Sequence, residues 1–184
     1  MASIDHSLFI KRVGGVIAVF ILLLVAGFCS AQKLAVPAQW KDVLALVRKQ
    51  FPDVPQVSTS ALATRIEKGE EIIIIDAREP GEFEVSRLPG AINVQTVEGA
   101  GELSKDAEII VYCSVGYRSS ALAQLLRKAG FSKSSNLEGS LFQWANEDRP
   151  MVDAAGVATT RVHPYSDKWG DLLNGEKVEI TYEP

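Results

Sequence analysis

Short apolar runs recur along the chain and are separated by amphipathic segments. The run Ile72–Ile75 is continuous and β-branched, which is typical of a strand buried on both faces of a parallel sheet. Ala91–Val94 and Glu108–Tyr112 follow it as further strand candidates. The pattern also predicts shorter strands at Gln56–Val57 and Asn136–Glu138.

Helical periodicity fills most of the intervals between these strands. The predicted helices are Pro37–Phe51, a segment from Ser58 or Ser60 through Lys68, Ser119–Lys128 and Ser140–Glu147. The pairs Pro80–Gly81 and Pro89–Gly90 instead predict a loop between the second and third strands. Strands that alternate with helices of about ten residues indicate an α/β fold, with a mostly parallel central sheet flanked by helices.

The N-terminal segment has a different pattern. Lys11 and Arg12 precede an uninterrupted apolar run, Val13–Phe28, and small residues follow as far as Ala31. This order is typical of a secretory signal peptide, with cleavage expected after Ala31. We therefore expect an exported protein, periplasmic or extracellular.

Two other interpretations of this segment stay open. Val13–Ala31 is long enough to span a bilayer, so it could be retained as a membrane anchor. Cys29 could be lipidated, although bulky Phe28 directly before it is a poor match to a lipobox. All three interpretations leave Lys11 and Arg12 on the cytoplasmic side and place the remainder outside. The only predicted membrane contact is through residues 13–31.

The sequence divides into four segments. Residues 1–31 are the signal peptide or anchor, 32–55 a helical flank and linker, 56–150 the α/β domain and 151–184 a C-terminal extension. The extension contains the distinctive stretches Arg161–Tyr165 and Lys168–Gly170, and we expect it to pack on the domain surface.

Composition excludes several classes of protein. Hydrophobic residues make up 47% of the 184 residues and charged residues 23%, which is an ordinary globular balance. The net charge of −4 offers no basic surplus for binding nucleic acid. The two cysteines, Cys29 and Cys113, are too few for a Cys-rich zinc site or an iron–sulfur cluster.

The candidate chemistry lies where the strand 108–112 ends. Cys113 follows this strand, Gly116 gives the next turn conformational freedom, and Arg118 comes just before the predicted helix. A loop of this kind can direct its N–H groups inward, and both those groups and the helix N-terminus favour a thiolate. Arg118 can close the loop or bind an anionic substrate through two hydrogen bonds. The alternative is that Cys113 is only a small buried side chain.

Three motifs in this order resemble those of rhodanese-like sulfurtransferases. The first is Asp76–Arg78 followed by Glu82–Phe83, which continues as Leu88–Val94. The second is the six-residue loop Cys113–Arg118, and the third is Leu137–Ser140 followed by Trp144. The resemblance covers residues 56–150 and implies a three-layer rhodanese-like fold.

Two positions depart from the family pattern. Ser86–Arg87 stands where many members have Gly-His or Ser-His, and Ser140 replaces the second glycine of the closing motif. The serine implies a less demanding backbone angle there. Loop length separates the chain from cysteine phosphatases, which have five residues between cysteine and arginine, whereas this chain has four.

The resemblance also implies a reaction and its residues, and it implies that no metal or organic cofactor is needed. Cys113 and Arg118 are the expected catalytic residues, and Asp76 and Arg78 are expected to support the neighbouring loops. Substrate binding is expected from the rest of the loop and the start of the helix, namely Ser114, Val115, Gly116, Tyr117 and Ser119. The expected partners are a small anionic sulfur donor, such as thiosulfate or a persulfide, and a thiol or cyanide acceptor, which could be a redox protein. The alternative is a catalytically silent rhodanese-like module that binds or delivers sulfur.

Overall fold

The computed structural model describes residues 39–183. The predicted signal peptide or anchor, residues 1–31, and the predicted start of the first helix at Pro37 lie outside the described residues. Within residues 39–183, no helix has both the length and the apolar character needed to cross a bilayer.

Five parallel strands form the central sheet. They are β1 (Gln56–Val57), β2 (Ile73–Asp76), β3 (Ile92–Asn93), β4 (Ile109–Tyr112) and β5 (Ser134–Leu137). Their order across the sheet is β1-β5-β4-β2-β3, and each neighbouring pair is parallel. Strand β4 therefore lies in the middle, and the carboxyl ends of β2 and β5 flank its own. The predicted parallel sheet is confirmed.

Burial on both faces explains the continuous apolar runs. Along β4, Ile109 and Val111 pack into one apolar cluster, whereas Ile110 and Tyr112 pack into another on the opposite face. Successive side chains of a strand point to opposite faces, so a strand covered on both sides needs an apolar residue at every position. The two clusters are the cores of a three-layer α/β fold.

Six α-helices and one short 3-10 helix, Glu98–Ala100, occur in the described part of the chain. The α-helices are α1 (Trp40–Gln50), α2 (Thr59–Glu67), α3 (Pro80–Val85), α4 (Tyr117–Lys128), α5 (Ser140–Asn146) and α6 (Asp167–Gly170). Ser58, not Ser60, caps α2, since its hydroxyl accepts a hydrogen bond from the Ala61 N–H at 3.1 Å. Helix α4 begins two residues earlier than predicted because Gly116 has a φ of 108°, which turns the chain directly into the helix.

Helix α3 lies where the sequence predicted a loop, so that prediction was wrong. Pro80 occupies the first turn of the helix, where its missing N–H costs nothing. Glu79 and Glu82 form a capping box, in which the Glu82 carboxylate accepts a hydrogen bond from the Glu79 N–H at 3.1 Å. The Pro80–Gly81 pair therefore starts a helix here and does not form a turn.

The C-terminal extension packs against the α/β domain. Its strands β6 (Arg161–Val162) and β7 (Glu179–Ile180) pair in parallel as a separate two-stranded sheet. The extension also buries apolar side chains in the same cluster as Leu141 and Phe142 of α5. These side chains are Met151, Val162, Leu172, Leu173 and Val178. The extension therefore shares a core with the domain.

Candidate active site

Cys113 lies directly after β4, at the carboxyl edge of the sheet. Asp76 ends the neighbouring strand β2, and Leu137 ends β5 on the other side. Ligands of open α/β sheets bind outside this edge. The fold thus brings the predicted cysteine to the place where a substrate would be expected.

Helix α5 holds the loop that carries Cys113. The Leu141 N–H donates to the Cys113 carbonyl at 3.1 Å, and the Phe142 N–H donates to the Ser114 carbonyl at 3.0 Å. The Ser140 hydroxyl accepts a hydrogen bond from the Cys113 N–H at 3.2 Å. The free N–H groups of a helix N-terminus therefore fix the backbone beside the thiol.

Ser140 itself corrects an expectation. Its φ is 51°, so this position keeps the left-handed backbone that glycine adopts most easily. The sequence predicts a less demanding backbone angle at Ser140, and that prediction is wrong. The serine instead adds a hydroxyl, which accepts from Cys113 and donates to the Leu137 carbonyl at 3.0 Å.

Two hydrogen-bond donors converge on the sulfur of Cys113. The Gly116 N–H lies 3.2 Å from Sγ, and the Ser119 hydroxyl oxygen lies 3.3 Å from it. Gly116 is required here because of its positive φ, and an added Cβ would come within 3.3 Å of the Asn136 amide. Gly116 is the N-cap residue of α4, and Ser119 lies in the first turn of the same helix.

The surroundings of the thiol favour its ionised form. Burial by itself would raise the pKa of the Cys113 thiol. The positive charge of Arg118 lowers that pKa, and hydrogen bonds from Ser119 and Gly116 lower it further. The net result is a pKa below the ordinary value for cysteine, which increases the fraction of thiolate at neutral pH.

Arg118 forms a bidentate ion pair with Glu82. Its Nη1 lies 2.7 Å from Glu82 Oε2, and its Nη2 lies 2.8 Å from Glu82 Oε1. Nη2 also donates to the Ser114 hydroxyl at 3.0 Å. Arg118 therefore closes the loop, which is one of the two roles that the sequence predicts for it. The carboxylate of Glu82, which is 3% exposed, fills the bidentate position that was expected for a substrate anion.

Sequence reasoning assigned no role to Glu82. Burial alone would raise the pKa of its carboxyl group, but the hydrogen bonds and charge of Arg118 bring the pKa below the usual range. The sequence signal that points to Glu82 is the Glu-Phe pair after Asp76–Arg78, which belongs to a family motif but does not indicate an ion pair. Nothing in the sequence joins Glu82 to Arg118, since α3 and α4 meet only in the folded chain.

Asp76 and Arg78 form a fully buried ion pair at the end of β2. Arg78 donates to the Asp76 carboxylate through Nη2 at 2.7 Å and through Nε at 3.0 Å. The same Nη2 donates to the Ser86 carbonyl at 2.5 Å, at the end of α3. The pair thus connects the strand end to the helix that carries Glu82.

The remaining predicted substrate-binding residues lie in different surroundings. Val115 is buried in the core cluster that includes Leu137 and Leu141. Tyr117 is partly exposed and packs edge-on against Phe51, with ring centroids 5.2 Å apart. Of the five residues predicted to bind substrate, Gly116 and Ser119 contact the sulfur, and Ser114 contacts Arg118 and Glu82.

The C-terminal extension reaches the same site. The ring of Tyr165 lies over Arg118, with its centroid 4.8 Å from Cζ. Tyr165 has a φ of 64°, and its N–H donates to Nδ1 of His163 at 3.0 Å. The extension therefore contributes an aromatic ring beside the candidate catalytic arginine.

Among residues 39–183, no cluster of three or more His, Cys, Asp or Glu side chains could hold a metal ion.

Comparison with known proteins identifies the family. The model of the rhodanese-like domain matches residues 58–147. The putative sulfurtransferase YtwF of Bacillus subtilis is 34% identical over 101 residues, which cover 53% of this chain and 97% of that protein.

Two solved structures share the fold. The rhodanese-like domain of an Anabaena protein is 29% identical, with a TM-score of 0.51 over 54% of this chain and 79% of that one. A thiosulfate sulfurtransferase from Pseudomonas aeruginosa has a TM-score of 0.53 over 66% of this chain but only 23% of that one. Its identity is 22%, so this likeness concerns the fold alone. Sequence and fold together therefore show that the chain belongs to the rhodanese-like family.

Proposed function

We propose that this protein is a sulfurtransferase that carries a sulfane sulfur as a persulfide on Cys113. One observation supports this most directly. The Cys113 sulfur accepts hydrogen bonds from Gly116 and Ser119, and its pKa is lowered by the neighbouring Arg118. A thiolate held in this way is a nucleophile ready to attack sulfur. Membership of the family supports sulfur transfer in general, and we propose thiosulfate or a persulfide as the donor and a thiol or cyanide as the acceptor.

The proposed reaction has two displacement steps. The Cys113 thiolate attacks the outer sulfur of thiosulfate, the sulfur–sulfur bond of the donor breaks, and its electron pair leaves with sulfite. The product is a persulfide on Cys113 whose terminal sulfur is anionic. An acceptor thiolate or cyanide then attacks that terminal sulfur and removes it as a new persulfide or as thiocyanate. The electron pair of the broken bond returns to Cys113, so no external oxidant or reductant is consumed.

The decisive experiment is the intact mass of the full-length protein after incubation with thiosulfate or an organic persulfide. We expect a gain equal to one sulfur atom, which cyanide or dithiothreitol removes. A protein that gains no mass from any such donor would contradict the enzymatic proposal and favour the catalytically silent module.

Arg118→Ala should weaken the use of thiosulfate more than the use of methanethiosulfonate. The two donors have similar shapes, but thiosulfate has two negative charges and methanethiosulfonate has one. The guanidinium attracts the more highly charged donor more strongly, so its removal should cost that donor more. The measurement is kcat/KM for each donor at one ionic strength.

The control for this prediction is Arg118→Lys. It keeps the positive charge but loses the bidentate geometry toward Glu82, so it should preserve the ratio between the donors better than alanine does. Equal losses for both donors in Arg118→Ala would show that Arg118 acts only through the thiol and not through donor charge.

We also propose that residues 1–31 export the protein. This proposal rests on the order of Lys11–Arg12, the apolar run Val13–Phe28 and the small residues up to Ala31. A fusion of residues 1–40 to a reporter that is active only outside the cytoplasm should be active. The same fusion with Leu23→Arg, which places a charge inside the apolar run, should be silent. Silence of the unmodified fusion would refute export.

A further inference from the structure

The hydroxyl group of Ser119 has two acceptors but only one hydrogen. Its oxygen lies 3.3 Å from the Cys113 sulfur and 2.6 Å from Oδ1 of Asn136. A serine hydroxyl can donate a single hydrogen bond. The protonation state of Cys113 therefore determines whether both acceptors need this one hydrogen.

The orientation of Asn136 is fixed from its far side. Asn136 is fully buried on β5, and its Nδ2 donates to Oε1 of Gln56 at 2.7 Å. Gln56 lies directly opposite Asn136 on β1, and its own Nε2 donates to the Val54 carbonyl at 3.1 Å. A rotation of the Asn136 amide alone would therefore bring two acceptors, Asn136 Oδ1 and Gln56 Oε1, face to face. In the observed arrangement Oδ1 points at Ser119.

The two states of the thiol place opposite demands on this chain of hydrogen bonds. When Cys113 is a thiol, it can donate to the Ser119 oxygen, and Ser119 can donate to Asn136, so each acceptor has a donor. When Cys113 is a thiolate, it needs the Ser119 hydrogen for itself. The oxygens of Ser119 and Asn136 are then two acceptors 2.6 Å apart with no hydrogen between them, and such a contact in a buried site is costly.

We propose that Asn136 is a positioning residue that competes with the Cys113 sulfur for the single hydroxyl hydrogen of Ser119. Because of this competition, the thiolate is less stabilised than it would be if Asn136 did not accept from Ser119. A less stabilised thiolate is a stronger nucleophile. After sulfur loading, the negative charge lies on the terminal sulfur and Sγ no longer carries it. Ser119 then returns its hydrogen to Asn136, so the network favours the loaded state. Only this last consequence rests on the proposed function.

The test is a double-mutant comparison that follows the ultraviolet absorbance of the thiolate against pH in the full-length protein. Asn136→Leu is close in size to asparagine and has no acceptor, so it should lower the pKa of Cys113 by about one unit. Ser119→Ala should raise that pKa. In the Ser119→Ala background, Asn136→Leu should change nothing further, because the contested hydrogen is absent.

A second variant keeps the proposal testable if Asn136→Leu does not fold. Gln56→Ala removes the group that fixes the amide, so Nδ2 can rotate to donate to Ser119, which frees the hydroxyl for the sulfur. It should also lower the pKa of Cys113. The matched control is Ser134→Ala, on the same strand, whose buried hydroxyl has no partner among the described residues and which should leave the pKa unchanged.

A kinetic measurement separates competition from a general structural effect. At a pH where Cys113 is fully ionised, Asn136→Leu should react more slowly with iodoacetamide than the unmodified protein does, because a better stabilised thiolate is less nucleophilic. The other charged groups near the thiol, Arg118 with Glu82 and Asp76 with Arg78, are the same in all variants. A raised pKa in Asn136→Leu or Gln56→Ala, or equal shifts with and without Ser119, would overturn the proposal. The titration needs no sulfur donor, so its outcome is independent of the mass experiment.

Discussion

The Cys113→Ala variant is expected to gain no sulfur from thiosulfate or from any persulfide donor. The Cys113 thiolate is the nucleophile of the proposed reaction, and Gly116 and Ser119 both donate hydrogen bonds to its sulfur. Removing a covalent nucleophile ordinarily eliminates all but a trace of activity, and the loss here should be at least about a thousandfold. The measurements are intact mass and the rate of thiocyanate formation from cyanide.

The sequence provides its own control for this prediction. Cys29 is the only other cysteine in the chain, so Cys29→Ser should load sulfur as the unmodified protein does. Thermal unfolding of Cys113→Ala should stay close to that of the unmodified protein, which would separate lost chemistry from lost folding. A persulfide that persists in Cys113→Ala and disappears in Cys29→Ser would contradict the assignment of Cys113.

Replacing Asp76 by asparagine should lower the free energy of unfolding by about 3–5 kcal/mol. The substitution leaves Arg78, which has no solvent-exposed surface, without its counter-ion. Burial by itself lowers the pKa of Arg78, and it is the charge and hydrogen bonds of Asp76 that keep that pKa above the ordinary value. The destabilisation is therefore the cost of an uncompensated buried charge. The measurement is the urea midpoint followed by circular dichroism.

The matched control is Asp148→Asn. Asp148 also pairs with a cation, Lys177 at 2.5 Å, but its side chain is 62% exposed. An exposed pair contributes at most about 1 kcal/mol, so the same chemical change should shift the midpoint little. Equal shifts of the midpoint in the two variants would show that the loss of stability in Asp76→Asn does not come from the burial of the Asp76–Arg78 pair.

The strands and most helices could be predicted from the sequence because their signals are local. The apolar run from Ile72 indicates that both faces of a strand are covered. Within residues 39–183, the predicted boundaries of the strands and of the helices that form lie within two residues of the observed ones. The C-terminal end of α2 is similarly set by Gly69, whose φ of 68° ends the helix. Helix α3 was missed because Pro80–Gly81 fits both a turn and a helix start. The capping box decides between them, and it becomes apparent only when Glu79 and Glu82 are considered together.

The candidate site was predictable in part, for a different physical reason. Cys113, Gly116 and Arg118 fall in one short loop, so their proximity follows from the chain itself. Glu82 and Asn136 reach the loop from α3 and β5, and contacts between distant elements depend on how those elements pack. A resemblance to a family supplies the fold, but it does not show which side chain of β5 meets Ser119.

The ring of Tyr165 on Arg118 has a practical consequence for anyone who designs a shortened protein. The family match ends at residue 147, and cutting the chain near there would look like a natural choice. Such a truncation would uncover one face of the guanidinium and remove buried side chains such as Val162 and Leu173 from the shared core. Rate constants measured on it would describe a site in which Arg118 lacks the ring of Tyr165. The smallest unit for biochemistry is therefore larger than the homologous domain and includes the last strand, Glu179–Ile180.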